Sequence, residues 1–402
     1  MRSGRDYWLL IGGSTTSNLG DGIRFAALPL LAVTITDDPA AIGAVMAASF
    51  LPWLLFSLVG GAVADRQDRR RLIISGQLVR GTAVGIFALL VATDHTSMAL
   101  IYVIAIIIGV GEVVVDSAFQ AAIPQVAGDD LDRANSHLAT SQFVAGEILG
   151  GPIGGALFTI ATFLPFLVDA ISFLAGALLV WLIATPLQEP IEAEAKATSM
   201  IDDIKEGARF LVGQPVLRGI AAAVALSNLA DSATRGLMVL MVTNKLDGSE
   251  VIFGLIITVG AVGGMVGSMA APRVVSWLGR RVALITAFIS MAAGNAIIGL
   301  APNLILIGVG SFGVMFAVTL FNVSSHSIRQ RLTPNRLLGR VIATMRFIGT
   351  GAIPVGALGG GILARIIGVR EAILVAAAIG LVATWAVVAA TAGQDLELAA
   401  TD

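Results

Sequence analysis

The stretch Gly61-Ala-Val-Ala-Asp65-Arg66-Gln67-Asp68-Arg69-Arg70-Arg71 places four arginines between two long apolar runs. Lys and Arg that lie beside the ends of membrane helices are retained on the cytoplasmic side of the membrane. Asp65 and the arginines can also cap helix ends or pair with charges on neighbouring helices. The stretch therefore predicts a short cytoplasmic loop that joins two membrane helices.

The composition of the chain is that of an integral membrane protein. Of its 402 residues, 56% are hydrophobic and 13% are charged, whereas a soluble domain carries about a quarter charged residues. The net charge of −2 gives no basic surface for nucleic acid, and the absence of cysteine excludes disulfides and thiolate sites. The basic N-terminus is followed by an apolar run without a small-residue cleavage site, so we expect a retained first helix.

Apolar runs of roughly 20 residues, the length that crosses a bilayer, occur twelve times. They predict an all-α membrane protein with twelve transmembrane helices at 8–35, 42–64, 72–92, 98–123, 137–161, 164–185, 218–242, 251–271, 282–300, 304–325, 339–362 and 370–392. With both termini cytoplasmic, the outside segments hold only Lys245, Arg365 and Arg370 among the basic residues. We therefore expect a multi-pass protein with cytoplasmic termini, and because the high Ala, Gly and Val content indicates a GC-rich bacterial genome, we expect it in the bacterial inner membrane.

The helices divide into an N-terminal six-helix bundle at 1–185 and a C-terminal one at 218–392, with a linker at 186–217 and a cytoplasmic tail at 393–402. In the linker, one helical face carries Ile201, Ile204, Ala208 and Leu211. This spacing predicts an amphipathic helix that lies on the inner membrane surface, begins at Ser199 and ends before Pro215. A solvated linker helix without membrane contact is the alternative.

An internal repeat relates the two halves. The segment Ser17-Asn-Leu-Gly-Asp21 recurs as Ser227-Asn-Leu-Ala-Asp231, and Pro124 recurs as Pro334, each 210 residues further on. Duplicated six-helix halves are typical of secondary transporters, which bind their substrate between the halves near the middle of the membrane. The repeat therefore favours two pseudo-symmetric bundles.

The charged loop resembles the signature loop between helices 2 and 3 of the major facilitator superfamily, Gly-x-x-x-Asp-Arg-x-Gly-Arg-Arg. The matching residues are Gly61, Asp65, Arg66, Arg69 and Arg70. Asp68 departs from the pattern, because the family usually has glycine there. The resemblance implies the major facilitator fold and a gating loop, and an ordinary basic topology loop is the alternative interpretation.

A second segment, Gly150-Gly-Pro-Ile-Gly-Gly155, resembles the helix-5 element of proton-coupled exporters, although Ala156 replaces its last glycine. Residues 17–22, 133–136 and 166–173 resemble the bacterial exporter branch that contains enterobactin and macrolide efflux proteins. The resemblance implies proton-driven antiport of amphipathic molecules such as drugs or siderophores by alternating access, without a cofactor. For the glycine element, tight packing with no bearing on transport direction is the alternative.

Charged residues inside the membrane are functional candidates, because burying each one costs roughly 2.5–3.5 kcal/mol on insertion scales. Asp21 and Arg24 are three residues apart on one helical face and can pair, and Asp231 and Arg235 are four apart. We expect both pairs to line a central cavity, with Asp21 and Asp231 as proton-coupling residues. The charge partners in that cavity are Arg24, Arg235, Asn18 and Asn228. Permanently ionised pairs that only fix helix geometry are the alternative.

Helix 4 carries Glu112 and Asp116, again on one face. We expect Asp116 to pair with Arg80 and to act in gating with the charged loop. Glu112 is deeper and has no obvious local partner, so we assign it a proton-coupling role together with Glu147 on helix 5; protonated carboxyls that merely pack are the alternative. Asp169 is expected nearer the outer surface, as an anchor of helix 6.

Several large apolar side chains are candidates for a substrate pocket, with helix packing or lipid contact as the alternative. They are Phe25, Phe119, Phe143, Met238, Phe316 and Phe347. The three histidines are scattered over different helix ends, so we expect neither a metal site nor an enzyme. We expect a monomer that handles protons and an amphipathic substrate in the lipid bilayer. A symporter or facilitator for a polar nutrient and a non-transporting scaffold stay open as rival functions.

Overall fold

The computed structural model describes residues 2–127, 131–188 and 200–392. Every regular element in these ranges is helical. The elements are α1 Arg2–Ile35, α2 Pro39–Arg66, α3 Arg69–Ala92, α4 Met98–Ala127, α5 Leu131–Gln142, a π-helix Phe143–Leu149, α6 Gly150–Ile160, α7 Leu164–Trp181, α8 Met200–Gly213, α9 Pro215–Leu240, a π-helix Met241–Lys245, α10 Glu250–Leu300, α11 Leu304–Leu332, α12 Asn335–Ile367 and α13 Val369–Thr391.

Eleven helical stretches in the described ranges are long and apolar enough to cross a membrane. One of them, α10, has 51 residues and is interrupted at Gly279, where φ is 74° and ψ is 159°. These torsion angles are not helical, and they are essentially restricted to glycine. Gly279 therefore divides α10 into two helices. The described ranges thus contain twelve helices that are long and apolar enough to cross a membrane, as the apolar runs predicted, and the all-α fold is confirmed.

The chain forms two compact units, and each of them includes a short segment from the other half of the sequence. Unit 1 comprises Met1–Asp37, Ala48–Ala193 and Val242–Thr258, and unit 2 comprises Asp38–Ala47, Glu194–Met241 and Val259–Asp402. The first turns of α2, residues 39–47, belong to unit 2, whereas the rest of α2 belongs to unit 1. Likewise, the first turns of α10, residues 250–258, belong to unit 1, whereas the rest of α10 belongs to unit 2.

Small residues set the helix packing in unit 1. A Cβ atom on Gly154 of α6 would lie 2.5 Å from the carbonyl oxygen of Ile23 in α1, and one on Gly150 would lie 2.5 Å from the carbonyl carbon of Gly22. On another face, a Cβ on Gly155 would lie 2.3 Å from the carbonyl oxygen of Glu250. The glycine element Gly150–Gly155 of α6 therefore brings the α6 backbone close to the backbones of α1 and α10. Small residues allow this close contact between membrane helices.

The α8 helix covers part of unit 2. Leu211 is 3% exposed in the core of that unit, Glu206 pairs with Arg340 of α12, and a Cβ on Gly207 would lie 2.7 Å from the Arg340 carbonyl oxygen. The predicted helix is confirmed and ends before Pro215, but this end of its apolar face packs on protein. The side chains of Ile201 and Ile204, and Ser199, lie outside the described residues.

Substituting Gly154 by alanine tests the α1–α6 crossing. Because the added methyl group has no space beside the Ile23 backbone, we expect Gly154→Ala to lower the free energy of unfolding by about 1–3 kcal/mol. The matched control is Gly359→Ala, since a Cβ there meets nothing within 4 Å. The measurement is the thermal unfolding midpoint in detergent. Equal midpoints for the two variants would contradict the close crossing.

Candidate functional site in unit 1

Helix α1 supplies the centre of a buried charge cluster. Its Arg24 side chain is 7% exposed and binds three carboxylates from three helices. The Nη2 atom lies 2.6 Å from Asp21 Oδ1 and 3.8 Å from Glu112 Oε2, and Nε lies 3.0 Å from Asp169 Oδ2. The pairing of Asp21 with Arg24 is confirmed, because residues three apart share a helical face. Arg24 thus connects α1 to α4 and α7.

A second cation, Arg80 of α3, completes the cluster. Its Nη2 atom lies 2.6 Å from Asp21 Oδ1, and its guanidinium lies 4.1 Å from the centroid of the Phe173 ring. A Cβ on Gly111 would lie 2.7 Å from Arg80 Cγ, so the glycine makes room for the stem of this side chain. Asp21 therefore bridges two guanidinium groups. The pairing of Asp116 with Arg80 stays a prediction.

Asp169 lies in this cluster, which the sequence analysis did not foresee. Instead of anchoring α7 near the outer surface, its side chain is fully buried against Arg24. The approach of α7 to α1 depends on Gly20, because a Cβ there would lie 2.4 Å from Asp169 Oδ1. The signal in the sequence was an acidic residue in an apolar run, together with a glycine beside Asp21.

The cluster carries an excess of negative charge. Its three carboxylates, Asp21, Glu112 and Asp169, face two guanidinium groups, so one negative charge is uncompensated when all five groups are ionised. All five lie in stretches that are long and apolar enough to cross a membrane. An uncompensated charge is unfavourable there, and one proton or one monovalent cation would neutralise the cluster.

Unit 2 contains a simpler counterpart on α9. Asp231 and Arg235 pair at 3.0 Å between Oδ2 and Nε, with 19% and 30% of their side chains exposed, so the second predicted pair is confirmed. Arg235 Nη2 also lies 2.6 Å from the sulfur of Met315. The repeated asparagines both donate to backbone: Asn18 to the Ser14 carbonyl at 2.8 Å, and Asn228 to the Gly349 carbonyl at 2.9 Å.

Residues at the start of α3, next to the charged loop, form hydrogen bonds with α4, with α7 and with the segment after α7. Asp68 is the N-cap of α3, and its Oδ1 accepts a hydrogen bond from the Arg71 amide at 2.9 Å, which explains an acidic residue at this position. Arg69 donates to the carbonyl oxygens of Ala121 at 2.8 Å and Leu187 at 3.3 Å, and Arg70 donates to that of Trp181. The side chains of Gly61, Asp65 and Arg66 lie outside the described residues.

Glu147 lies apart from the charge cluster. It is exposed and belongs to the π-helix Phe143–Leu149, and it takes no part in the ion pairs that form the cluster. π-helical turns inside α-helices are frequent at functional sites. The proton-coupling role of Glu147 stays a prediction without support from the geometry of the cluster.

The predicted pocket residues differ in their surroundings. Phe119 is 2% exposed in the core of unit 1, and Met238 is 9% exposed in unit 2, so both side chains are buried against neighbouring helices and their place in a substrate pocket stays a prediction. Phe316 stacks on Phe312, and Phe347 is 43% exposed. Phe25 is partly exposed and contacts Phe50, and Phe143 is partly exposed at the start of the π-helix.

The fold and the cluster define the class of protein. Twelve membrane helices, a repeat between the halves and ionisable groups within the membrane are the features of a secondary transporter. The chain belongs to the transmembrane secretion effector family of the major facilitator superfamily, whose family profile matches residues 5–400. The superfamily and the exporter branch expected from the sequence are thereby confirmed.

Relatives cover nearly the whole chain. The multidrug efflux pump Tap of Mycolicibacterium fortuitum is 26% identical over 381 residues, which are 91% of each chain. The MFS-type transporter YceJ of Bacillus subtilis is 26% identical over 77% of this chain and 76% of its own. A bacterial homologue of the iron transporter ferroportin has a similar structure, with a TM-score of 0.78 at 17% identity, covering 96% of this chain and 99% of its own.

The substitution Arg24→Gln tests the role of Arg24 as the shared cation. It leaves Asp169 buried without a counter-charge, and we expect a loss of about 3–5 kcal/mol in the free energy of unfolding, measured as a lower thermal midpoint. Adding Asp169→Asn removes the buried carboxylate that has lost its partner and is expected to restore part of that stability.

The matched control is Arg235→Gln in unit 2, where the pair is more exposed and the loss is expected to be smaller. If the two single substitutions lower the midpoint equally, Arg24 has no special role in unit 1.

Proposed function

We propose that this protein is a proton-coupled exporter that exchanges protons for amphipathic small molecules by alternating access. The observation that carries the proposal is the cluster of three carboxylates and two guanidinium groups inside the membrane-spanning part of unit 1. Because one negative charge is uncompensated, the cluster has a physical reason to bind a single proton.

Within the cluster, the carboxylates differ in how well they are compensated. Asp21 contacts both Arg24 and Arg80 at 2.6 Å, and Asp169 contacts Arg24 at 3.0 Å. Glu112 lies 3.8 Å from Arg24, and 30% of its side chain is exposed. We assign the entry of the proton to Glu112 for this reason. Asp21 is the second coupling residue, because protonating it would release two guanidinium groups at once.

Protonation of the cluster is coupled to the conformation of unit 1, because enclosing a charged group away from water costs free energy. A neutral cluster is cheaper to enclose away from water than a charged one, so protonation favours states in which the cluster is shielded. The helices that supply the cluster are α1, α3, α4 and α7, and a change in its charge therefore acts on most of unit 1. Asp231 and Arg235 are the corresponding pair in unit 2.

The relatives support the direction of transport and the kind of substrate. Tap, at 26% identity, is a multidrug efflux pump. The helix-5 glycine element, which the sequence shares in part with proton-coupled exporters, agrees with export. We place the protein in the bacterial inner membrane with cytoplasmic termini, since the basic residues cluster in the segments expected on that side.

Transport in proteoliposomes under an imposed pH gradient tests the proposal. With a panel of fluorescent amphipathic dyes that differ in charge, we expect the gradient to drive movement of at least one dye. Asp21→Asn and Glu112→Gln are expected to abolish the gradient-driven part, because either substitution removes a titratable carboxyl group from the cluster. Asp94→Asn, in an exposed turn where φ is 58°, is the matched control, because asparagine tolerates this conformation.

Dye movement that ignores the gradient in the wild type, for every dye, would point to a facilitator. Normal gradient-driven transport in both cluster variants would place the coupling site elsewhere in the chain.

A further inference from the structure

The part of α10 that belongs to unit 2 carries an exposed apolar stripe before its bend. Val259, Val262, Val266 and Met269 recur at intervals of three and four residues, so they share one face of the helix. Val259 and Val266 are each 39% exposed, and Met269 is 68% exposed. A stripe of exposed side chains that are all apolar, on a membrane helix, marks a surface that contacts lipid.

Arg273 and Trp277 continue this stripe, each four residues further on, and Trp277 is 83% exposed. At 1.5 Å per residue, Trp277 lies about 27 Å along the helix from Val259, close to the roughly 30 Å thickness of the hydrocarbon core. Tryptophan is enriched at the membrane–water interface, where its amphipathic ring lies among the headgroups. The lipid-facing stripe therefore ends at an interface with one guanidinium group and one indole.

The charge around this interface is strongly positive. Between residues 250 and 371 the sequence contains ten arginines and no acidic residue. Arg280 and Arg281 directly follow the bend in α10, so they lie near the same membrane level as the end of the stripe. Among the described residues, no carboxylate pairs with Arg273 or Arg281, and Arg281 Nε lies 3.3 Å from the Thr391 hydroxyl oxygen.

The internal repeat shows that the stripe ends differently in the two halves of the chain. At the repeat distance of 210 residues, Arg273 corresponds to Val63 and Trp277 corresponds to Gln67. In unit 1 the adjacent Arg69 donates to backbone carbonyls of α4 and of the segment after α7, so its charge is directed at protein. The second half instead places a charge and an indole on a lipid-facing surface.

We propose that Arg273, Trp277, Arg280 and Arg281, here called the Arg273 corner, bind the phosphate group of an anionic glycerophospholipid from the bilayer. Guanidinium groups pair strongly with phosphate oxygens, and the indole lies beside the glycerol region. An anionic lipid is favoured over a zwitterionic one, because 250–371 offers no acidic side chain to an ammonium headgroup. This lipid site goes beyond the proposed function and does not depend on it.

Quenching of tryptophan fluorescence by brominated lipids tests the site. The full-length protein is placed in phosphatidylcholine nanodiscs with increasing fractions of brominated phosphatidylglycerol, which is anionic, or brominated phosphatidylethanolamine, which is zwitterionic. The contribution of Trp277 is the difference in quenching between the wild type and Trp277→Phe. We expect half-maximal quenching of Trp277 at a fraction of phosphatidylglycerol at least about fivefold lower than that of phosphatidylethanolamine, the effect of one arginine near an anionic surface.

Variants assign this preference to the Arg273 corner. Arg273→Gln is expected to lower the preference for phosphatidylglycerol about fivefold, whereas Arg273→Lys keeps the charge and is expected to retain most of it. The matched control is Arg365→Gln, which removes the same charge from an exposed arginine whose partner, Asp38, lies 3.7 Å away. Its preference is expected to equal that of the wild type. Thermal midpoints within the range of the wild type establish that the variants are folded.

Three results would overturn the lipid site. The first is equal quenching of Trp277 by the two brominated lipids, or an unchanged preference in folded Arg273→Gln. The second is quenching by neither lipid, which would mean that a second copy of the chain or another protein covers this face. The third is loss of the preference on addition of soluble glycerol phosphate, which would assign the corner to a soluble anion. No pH gradient is used, so failure of the transport assay leaves this test unaffected.

Discussion

The structure of unit 1 depends on how a few charges compensate one another in the poorly solvated interior of its helices. Arg24 is the element that makes this possible, because one guanidinium group serves carboxylates from α1, α4 and α7. Arg80 adds a fourth helix through Asp21. Such a shared cation holds the helices in place, and it also makes their positions sensitive to the protonation of any one partner. In the proposed mechanism, stability and proton coupling therefore have the same physical origin.

Much of the fold could be predicted from the sequence because membrane insertion leaves strong signals. Apolar runs of the right length, the distribution of arginines and the repeat of Asn18 and Asp21 as Asn228 and Asp231 sufficed for twelve helices. Local pairs were also predictable, since residues three or four apart meet on a helix. The N-cap role of Asp68 was harder to foresee, because the family pattern has glycine there.

Contacts between distant segments could not be derived in this way. Nothing near Asp169 in the sequence indicates that Gly20 leaves space for it beside Arg24, since this depends on the crossing of α1 and α7. The same holds for the hydrogen bond that Trp53 of α2 donates to Glu112 of α4, because the two residues are far apart in the sequence. Phe119 was selected for its size, but its burial depends on neighbours that spacing alone does not reveal.

The interruption of α10 at Gly279 has a topological consequence. A continuous helix of 51 residues would be about 76 Å long, more than twice the roughly 30 Å thickness of the hydrocarbon core. The torsion angles of this one residue therefore decide whether the segment crosses the bilayer once or twice. If residue 279 were helical, every later helix would run in the opposite direction, and the C-terminus would end on the other side of the membrane. The direction of the helices that follow residue 279 therefore depends on a single residue without a side chain.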